Sequence, residues 1–121
     1  MKVRVVVAGG RDYNDYKSAK SFIEENICDL LEEGNEIIFI SGGCRGADAL
    51  SERFALENGF EIEKYLAQWE RYGRAAGPKR NKKMVDACHR IICFWDGKSK
   101  GTKSTIFYAT KSNKDLRIKL I

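Results

Sequence analysis

Three mostly apolar runs of six residues each lead into glycine, and this arrangement constrains the fold more than any other feature of the sequence. The runs and the glycines after them are residues 3–8 with Gly9 and Gly10, residues 36–41 with Gly42 and Gly43, and residues 90–95 with Gly97 and Gly101. Runs rich in β-branched and aromatic residues are typical of strands buried on both faces of a sheet. Such strands are parallel and are joined by helical crossovers, so we predict an α/β protein.

The segments between these runs are expected to be helices. Apolar residues recur at spacings of three and four over residues 16–31 and are followed by Gly34, which predicts one amphipathic helix. The other predicted elements are helices at 46–58, from Gly77-Pro78 onwards and at 102–112, a short strand at 61–65 near an edge, and a closing strand at 116–121. Residues 66–77 are expected to be irregular. Together these elements predict a Rossmann-like three-layer α/β/α sandwich with a mostly parallel five-stranded sheet.

The chain has 121 residues, enough for one hydrophobic core, so residues 1–121 are interpreted as a single domain. No apolar run approaches the roughly 20 residues that cross a bilayer, and the strand-like start lacks the regions of a signal peptide. We therefore expect a cytoplasmic protein with no membrane partner. The four cysteines form no Cys-x-x-Cys pair, and the single histidine, His89, has no ligands at zinc-site spacing. Neither a metal nor another cofactor is expected.

The net charge of +5 is concentrated in two stretches. Residues 71–85 contain six arginines and lysines and no acid, and residues 97–114 contain five lysines and no acid. The rest of the chain is therefore net acidic. This distribution suits an anionic ligand or a nucleic acid at one face, although lysines on a solvated helix face are also common.

The glycine-rich loops are the strongest functional signal. Because the carboxyl ends of parallel strands meet at one edge, the three loops are expected to come together there. Glycine permits close approach of the backbone, and free amides at a helix start favour a phosphate. From these loops we expect ligand contacts by Gly9, Gly10, Arg11, Ser41, Gly42, Gly43, Arg45, Gly46, Gly101 and Thr102.

Two common nucleotide-binding motifs fit poorly. The loop at 41–46 resembles a dinucleotide fingerprint with serine in place of its first glycine, but the acid expected about 20 residues later is poorly placed. Gly46 is followed by Ala47 and Asp48 instead of the lysine and Ser/Thr of a P-loop. An NAD-dependent oxidoreductase is thus weakly supported, and ATP hydrolysis of the P-loop type is disfavoured.

Motifs along nearly the whole chain together resemble the YspA-type branch of the SLOG superfamily. They are Gly9-Gly10-Arg11-Asp12, Ser41-Gly42-Gly43 through Arg45-Gly46-Ala47-Asp48, Trp69 with Tyr72-Gly73, Ala76-Gly77-Pro78 with Arg80-Asn81 and Met84, and Phe94 through Gly101-Thr102. The resemblance implies a nucleotide or a nucleotide-derived signal as ligand. It also implies kinship with the LOG phosphoribohydrolases and with the DNA-processing protein DprA.

The LOG enzymes are recognised by Arg-x-x-x-Met and by Gly-Gly-x-Gly-Thr-x-x-Glu. Arg80 and Met84 match the first motif. The second is incomplete, because Thr105 stands where those enzymes have a catalytic glutamate. Threonine is not a general base at neutral pH, so chemistry of the LOG type is not expected.

Individual side chains have alternative roles. Arg80 falls in the first turn of its predicted helix, where a cation opposes the helix dipole, so a phosphate partner would explain it. Alternatively, Arg80 is a surface or salt-bridging arginine. Arg45 has the same two alternatives, and as a ligand its guanidinium would bind phosphate through two hydrogen bonds. Asp48 is either an acceptor for a ribose hydroxyl or a carboxylate serving its helix. Asp12 either caps the first helix or holds Arg11 or Arg45. Trp69 either stacks on a base or packs beneath its loop, and Asn81 completes the predicted ligand set.

These observations lead to three hypotheses. The first is a module that binds a nucleotide or an ADP-ribose-like compound and acts as a sensor or sequesters the ligand. The second is a hydrolase of the N-glycosidic or phosphate bond of such a compound, with Asp12, Asp48 and Arg80 as catalytic candidates. The third, ranked last, is single-stranded DNA binding of the DprA kind. A homo-oligomer is expected, because a domain this small can complete its site with a second subunit.

Overall fold

The computed structural model of the protein describes all residues from 1 to 121. Its elements are β1 (Lys2–Gly9), α1 (Tyr16–Glu25), α2 (Cys28–Glu32), β2 (Glu36–Ser41), α3 (Ala47–Glu57), β3 (Glu61–Lys64), α4 (Trp69–Tyr72), a 3-10 turn (Gly73–Ala75), α5 (Ala76–Ala87), β4 (Arg90–Trp95), α6 (Lys100–Lys111) and β5 (Asp115–Leu120). None of these helices is long and apolar enough to cross a membrane.

The five strands form one sheet in the order β3-β2-β1-β4-β5, and every pairing is parallel. In the centre, Val5 of β1 is in register with Phe39 of β2 on one side and with Arg90 of β4 on the other. The strand order reverses beside β1, which is where open parallel sheets bind ligands. The predicted sheet is confirmed, and the short third strand lies at an edge as expected.

Residues of β1 alternate between two apolar clusters, one on each face of the sheet. Val5 shares a cluster with Ile23 of α1 and Phe54 of α3. Val6, one residue later, shares the other cluster with Val85 of α5 and with Ala109 of α6. Helices therefore cover both faces, which confirms the three-layer sandwich and explains why β1 is apolar throughout.

The single helix predicted over residues 16–31 is wrong, because the chain breaks it between α1 and α2. Asn26 ends α1, and its side-chain amide donates to the Phe22 carbonyl oxygen at 2.8 Å. The Asn26 carbonyl oxygen accepts a hydrogen bond from Arg90 of β4, also at 2.8 Å. That long-range contact competes with continuation of the helix and has no signature in the local periodicity.

The stretch expected to be irregular contains α4 and the 3-10 turn, and α5 starts earlier than predicted. Pro78 is the third residue of α5 and not the first, which is permitted because none of the first four helix amides has a partner in the helix. Arg80 is consequently the fifth residue, so the expectation that it opposes the dipole in the first turn is wrong. Smaller shifts affect α6, which begins at Lys100, and β5, which begins at Asp115.

Candidate functional site

The loops after β1 and β2 touch at the carboxyl edge of the sheet. The Ala47 amide donates to the Gly10 carbonyl oxygen at 3.2 Å, and Gly46 takes a φ of 79° to allow this. A Cβ atom on Gly46 would overlap the Gly10 carbonyl oxygen and the backbone of Arg11. Gly10 and Gly46 thus bring the two loops together. This contact was expected, because the loops follow neighbouring parallel strands.

A hollow of about 70 Å³ lies where these loops meet the start of α6 and one face of α5. Its lining residues are Ala8, Gly9, Arg11, Cys44, Asp48, Arg80, Asn81, Met84, Gly101, Thr102 and Thr105. Because roughly 10–15 Å³ of such space holds one water molecule, the hollow has room for several waters or for one small anion such as a phosphate group. We call it the anion hollow.

Arg80 joins α5 to the loop after β2. One terminal nitrogen, Nη1, donates to the Gly42 carbonyl oxygen at 2.8 Å, and Nε donates to Asn81 Oδ1 at 2.9 Å. Nη2 lies 3.8 Å from the sulfur of Cys44. A guanidinium has five N–H groups, so one on Nη1 and one on Nη2 are left without a partner. Arg80 makes no ion pair with a carboxylate within 4 Å.

Asp48 is the carboxylate of the anion hollow and is only 9% exposed. Its Oδ2 accepts a hydrogen bond of 3.1 Å from the Cys44 amide, so it stabilises the loop that precedes its own helix. Burial raises the pKa of Asp48, although the Cys44 amide and the charge of Arg80 act in the opposite direction. This geometry supports the alternative in which Asp48 stabilises its own helix and the loop before it. Because Asp48 also lines the hollow, it remains a candidate ligand contact.

The start of α6 presents free backbone amides to the hollow. Asp96 Oδ1 accepts from the amides of Lys98 and Ser99 at 2.8 Å each, and these bonds lower the pKa of Asp96. The next amides, including those of Gly101 and Thr102, have no hydrogen-bond acceptor. Because the helix dipole is positive at this end, these amides favour a negatively charged group.

Thr105 and Asn81 support that helix start from within the wall of the hollow. The Thr105 hydroxyl donates to the Gly101 carbonyl oxygen at 3.3 Å, and the Asn81 side-chain amide approaches the same oxygen at 3.4 Å. Both side chains are buried. The position where a LOG enzyme has its glutamate is therefore occupied here by a neutral hydroxyl bonded to the backbone.

Other predicted residues surround the hollow without lining it. Arg45 Nη2 lies 3.3 Å from Asp12 Oδ1, and both side chains are mostly exposed. The alternative in which Asp12 caps the first helix is wrong, because Asp15 performs that role by accepting from the Ser18 amide.

Ser41, Gly42 and Gly43 are not among the residues that line the hollow. Ser41 is fully buried, donates to Glu52 Oε2 at 2.7 Å and accepts from the Gly43 amide at 3.1 Å. Gly42 is also buried, and Gly43 has a φ of 73° and lies against Leu66. The ligand contacts expected from these three residues stay predictions: none of them lines the hollow, but Gly42 lies beside Arg80 and Asp48, which do.

Trp69 lies at the entrance to the hollow. Together with Arg11, Cys44 and Arg45 it lines an open concavity of about 450 Å³ that adjoins the hollow through Arg11 and Cys44. The indole ring rests over Gly77, where a Cβ atom would come within 3.3 Å of it, and the residue is 52% exposed. The ring is thus partly packed, in agreement with the predicted packing role, and its exposed part remains accessible to a ligand.

Sequence reasoning missed a second cavity, of about 250 Å³, on the other side of Arg80. Its residues are Lys64, Tyr65, Leu66, Gln68, Tyr72, Ala76, Lys79, Arg80 and Lys83. The cluster of basic residues at 71–85 predicted part of this cavity. The loop after β3 also contributes residues to it, and nothing in the sequence of that loop indicates this. We call it the basic cavity.

No group of three or more His, Cys, Asp or Glu side chains is placed to hold a metal ion.

The reversal of strand order and the polar site beside it define a Rossmann-like domain with its site in the usual place for that class. The chain belongs to the YspA, cpYpsA-related SLOG family (YAcAr), whose family model matches residues 3–72. It is also 31% identical over 116 residues to the Gene 61 protein of Mycobacterium phage D29, with 90% of each chain covered. The resemblance found in the motifs is thereby confirmed.

Solved structures with a similar fold include two DNA processing proteins. DprA of Streptococcus pneumoniae matches with a TM-score of 0.71 and 19% identity, and the match covers 96% of this chain and 50% of DprA. DprA of Helicobacter pylori, described for its single-stranded DNA binding mode, matches with a TM-score of 0.66 and 21% identity, covering 96% and 64%. The chain thus spans only part of either protein, and at these identities the likeness concerns the fold.

Proposed function

We propose that the protein binds a nucleotide or an ADP-ribose-like, nucleotide-derived ligand, with one phosphate in the anion hollow. The observation that carries this proposal is that Arg80, Gly101 and Thr102, which all retain unpaired N–H groups, line one cavity with room for a small anion. Donors of this kind bind phosphate strongly because the hydrogen bonds are charge-assisted on at least one side.

The rest of such a ligand lies outside the hollow, because 70 Å³ is far below the roughly 300–1,000 Å³ of pockets that enclose a whole ligand. The open concavity next to it offers the exposed face of Trp69 for stacking and the guanidinium groups of Arg11 and Arg45 for further phosphates. Arg45 is available at little cost, since its exposed contact with Asp12 contributes at most about 1 kcal/mol.

Isothermal titration calorimetry with AMP, ADP-ribose and cyclic nucleotides tests the proposal. We expect at least one of them to bind below millimolar concentration, and wild-type protein that binds none of them contradicts it. A sensor or sequestering module leaves the ligand intact. Mass spectrometry after incubation separates this from the hydrolase alternative, for which turnover abolished by Asp48→Asn is required.

Single-stranded DNA binding is the second candidate. It is favoured by the acid-free lining of the basic cavity next to the anion hollow and by the fold shared with the two DprA proteins. A strand that spans several cations releases counterions, so its affinity falls steeply with salt concentration. An oligonucleotide affinity that is flat between 50 and about 200 mM salt contradicts this candidate.

Self-association and cytoplasmic location stay predictions. Size-exclusion chromatography with light scattering, with and without AMP, measures the first of them. We expect a dimer or tetramer, and a monomer under both conditions contradicts it.

A further inference from the structure

The basic cavity lies between the loop after β3 and the outer face of α5. It contains four cationic side chains and no carboxylate, and the remaining lining is partly apolar. Tyr65 and Tyr72 are half-buried, so their rings form walls and are not free on the surface. A cavity of about 250 Å³ has more room than the anion hollow and accepts a phosphate together with part of a nucleoside.

The cations of the basic cavity are short of partners inside the protein. Lys83 and Arg80 make no ion pair, and the Lys79 ammonium lies 4.8 Å from the centre of the Tyr72 ring. Only Lys64 pairs with an acid, Glu52 at 3.1 Å, which lies outside the cavity lining. By contrast, Lys82 on the same helix faces away and pairs with Asp86 at 3.1 Å. Several cationic side chains along one cavity raise the local concentration of anions there.

Arg80 lines both the basic cavity and the anion hollow. Its Nη1 and Nη2 each retain one N–H group without a partner, as described above. The guanidinium is held in place by Gly42 and Asn81, so it stands as a fixed divider between the two cavities.

We infer that the basic cavity is a second phosphate subsite, and that the natural ligand carries two phosphate groups bound on either side of Arg80. The inference rests on the proposed function for the first phosphate. A phosphodiester-linked dinucleotide has this chemistry, and so does a segment of single-stranded DNA. The shared feature is a second phosphate separated from the first by a nucleoside.

The test compares AMP, which has one phosphate, with the 5′-phosphorylated dinucleotide pApA, which has two. Calorimetry is performed on wild-type protein and on Lys83→Gln, with Lys82→Gln as the matched control of equal charge change on the same helix. We expect wild-type protein to bind pApA at least about tenfold more tightly than AMP, as one added charge-assisted contact predicts. Lys83→Gln is expected to weaken pApA binding about fivefold and to leave AMP binding unchanged.

The inference is overturned if pApA and AMP bind wild-type protein equally, or if Lys82→Gln weakens pApA as much as Lys83→Gln does. Failure of the proposed function looks different: pApA binding remains sensitive to Lys83→Gln, while AMP does not bind or is indifferent to changes in the anion hollow. Thymidine oligonucleotides of two and twelve residues then separate the sources. Affinity that stops rising at two residues assigns the subsite to a small ligand, and a continued rise assigns it to a strand.

Discussion

Arg80 donates a hydrogen bond of 2.8 Å to the carbonyl oxygen of Gly42, although 38 residues separate them in the chain. The contact fixes the loop after β2 against α5 and places the guanidinium between the anion hollow and the basic cavity. An arginine at this position therefore has two effects, one on the shape of the loop and one on the charge offered to a ligand.

Substitution of Arg80 separates these two effects. Arg80→Ala is expected to lower the free energy of unfolding by about 1–3 kcal/mol, because it leaves the Gly42 carbonyl oxygen without its charged donor. Arg80→Lys keeps the charge but loses the planar fork, so AMP binding weakens with a smaller loss of stability. Urea denaturation and calorimetry measure the two quantities. Lys82→Ala, an exposed change on the same helix, should stay within about 0.5 kcal/mol of wild type.

Gly101→Ala is expected to raise stability and weaken ligand binding at the same time. A Cβ atom at Gly101 meets nothing within 4 Å, so alanine fits in α6 and gains up to about 1 kcal/mol in helix propensity. The added methyl group lies at the edge of the anion hollow, where it keeps a phosphate from the free amides. The melting temperature should therefore rise, while the affinity for AMP falls about tenfold or more. A stabilised variant with unchanged affinity contradicts the site, and Thr110→Ala on the same helix serves as control.

Gly46→Ala is expected to have the opposite effect on stability. Its φ of 79° disfavours any other residue, and the new Cβ atom would overlap backbone atoms of Gly10 and Arg11. Since neither loop can move without losing the bond between Ala47 and Gly10, we expect a loss of at least about 2 kcal/mol. Chemical denaturation measures it, and a loss below 0.5 kcal/mol would show that the loops separate freely.

The fold was largely predictable because each central strand carries its own signal. The run at 3–8 is apolar on both faces, and β1 does pack against helices on both sides. The break between α1 and α2 was not predictable, because it depends on Arg90, which is distant in sequence and adjacent only after the sheet has formed. Helix α4 was not predictable either, because its four residues show no clear hydrophobic period.

The site was predictable to the extent that it follows strand ends. Arg11, Arg80 and Gly101 meet as expected, because the loops share one edge of the sheet. Ser41 does not line the hollow. Its hydroxyl donates to Glu52 of α3, a partner that the local sequence does not reveal. Met84 lines the hollow four residues after Arg80, a spacing that places both on one helix face and gave a usable signal.

The buried carboxylate of Asp48 makes stability depend on pH. Burial raises its pKa in the folded protein above the unfolded value near 4, so the folded state binds the proton more tightly. Stability from this group is full below the unfolded pKa and falls as the pH rises through the folded pKa. Asp48→Asn should remove that fall, provided that the amide oxygen still accepts from Cys44. Denaturation midpoints between pH 4 and 8 measure it, and parallel profiles for both proteins would contradict the assignment.

Arg90 provides a test in which stability changes and binding does not. The residue is buried at the start of β4, at the edge of the sheet opposite to the site, and its terminal nitrogens donate to both Asp29 oxygens at 2.7 and 2.9 Å. Its Nε donates to Asp115 at 2.9 Å. Arg90→Met should cost about 2 kcal/mol, less than a fully buried pair, because the two carboxylates are partly exposed and regain water.

The same contacts predict a response to acid. Hydrogen bonds from Arg90 lower the pKa of Asp29 to about 2, so its contribution to stability is present above the unfolded value near 4 and is lost as the pH falls towards 2. In Arg90→Met, the free energy of unfolding should fall less steeply with decreasing pH, as measured by denaturation between pH 2 and 5. At neutral pH the variant should bind AMP as wild type does, since the anion hollow lies at the other end of the strands. Weakened AMP binding by a folded Arg90→Met protein would mean that the two ends of the sheet are coupled, contrary to the separation that the structure shows.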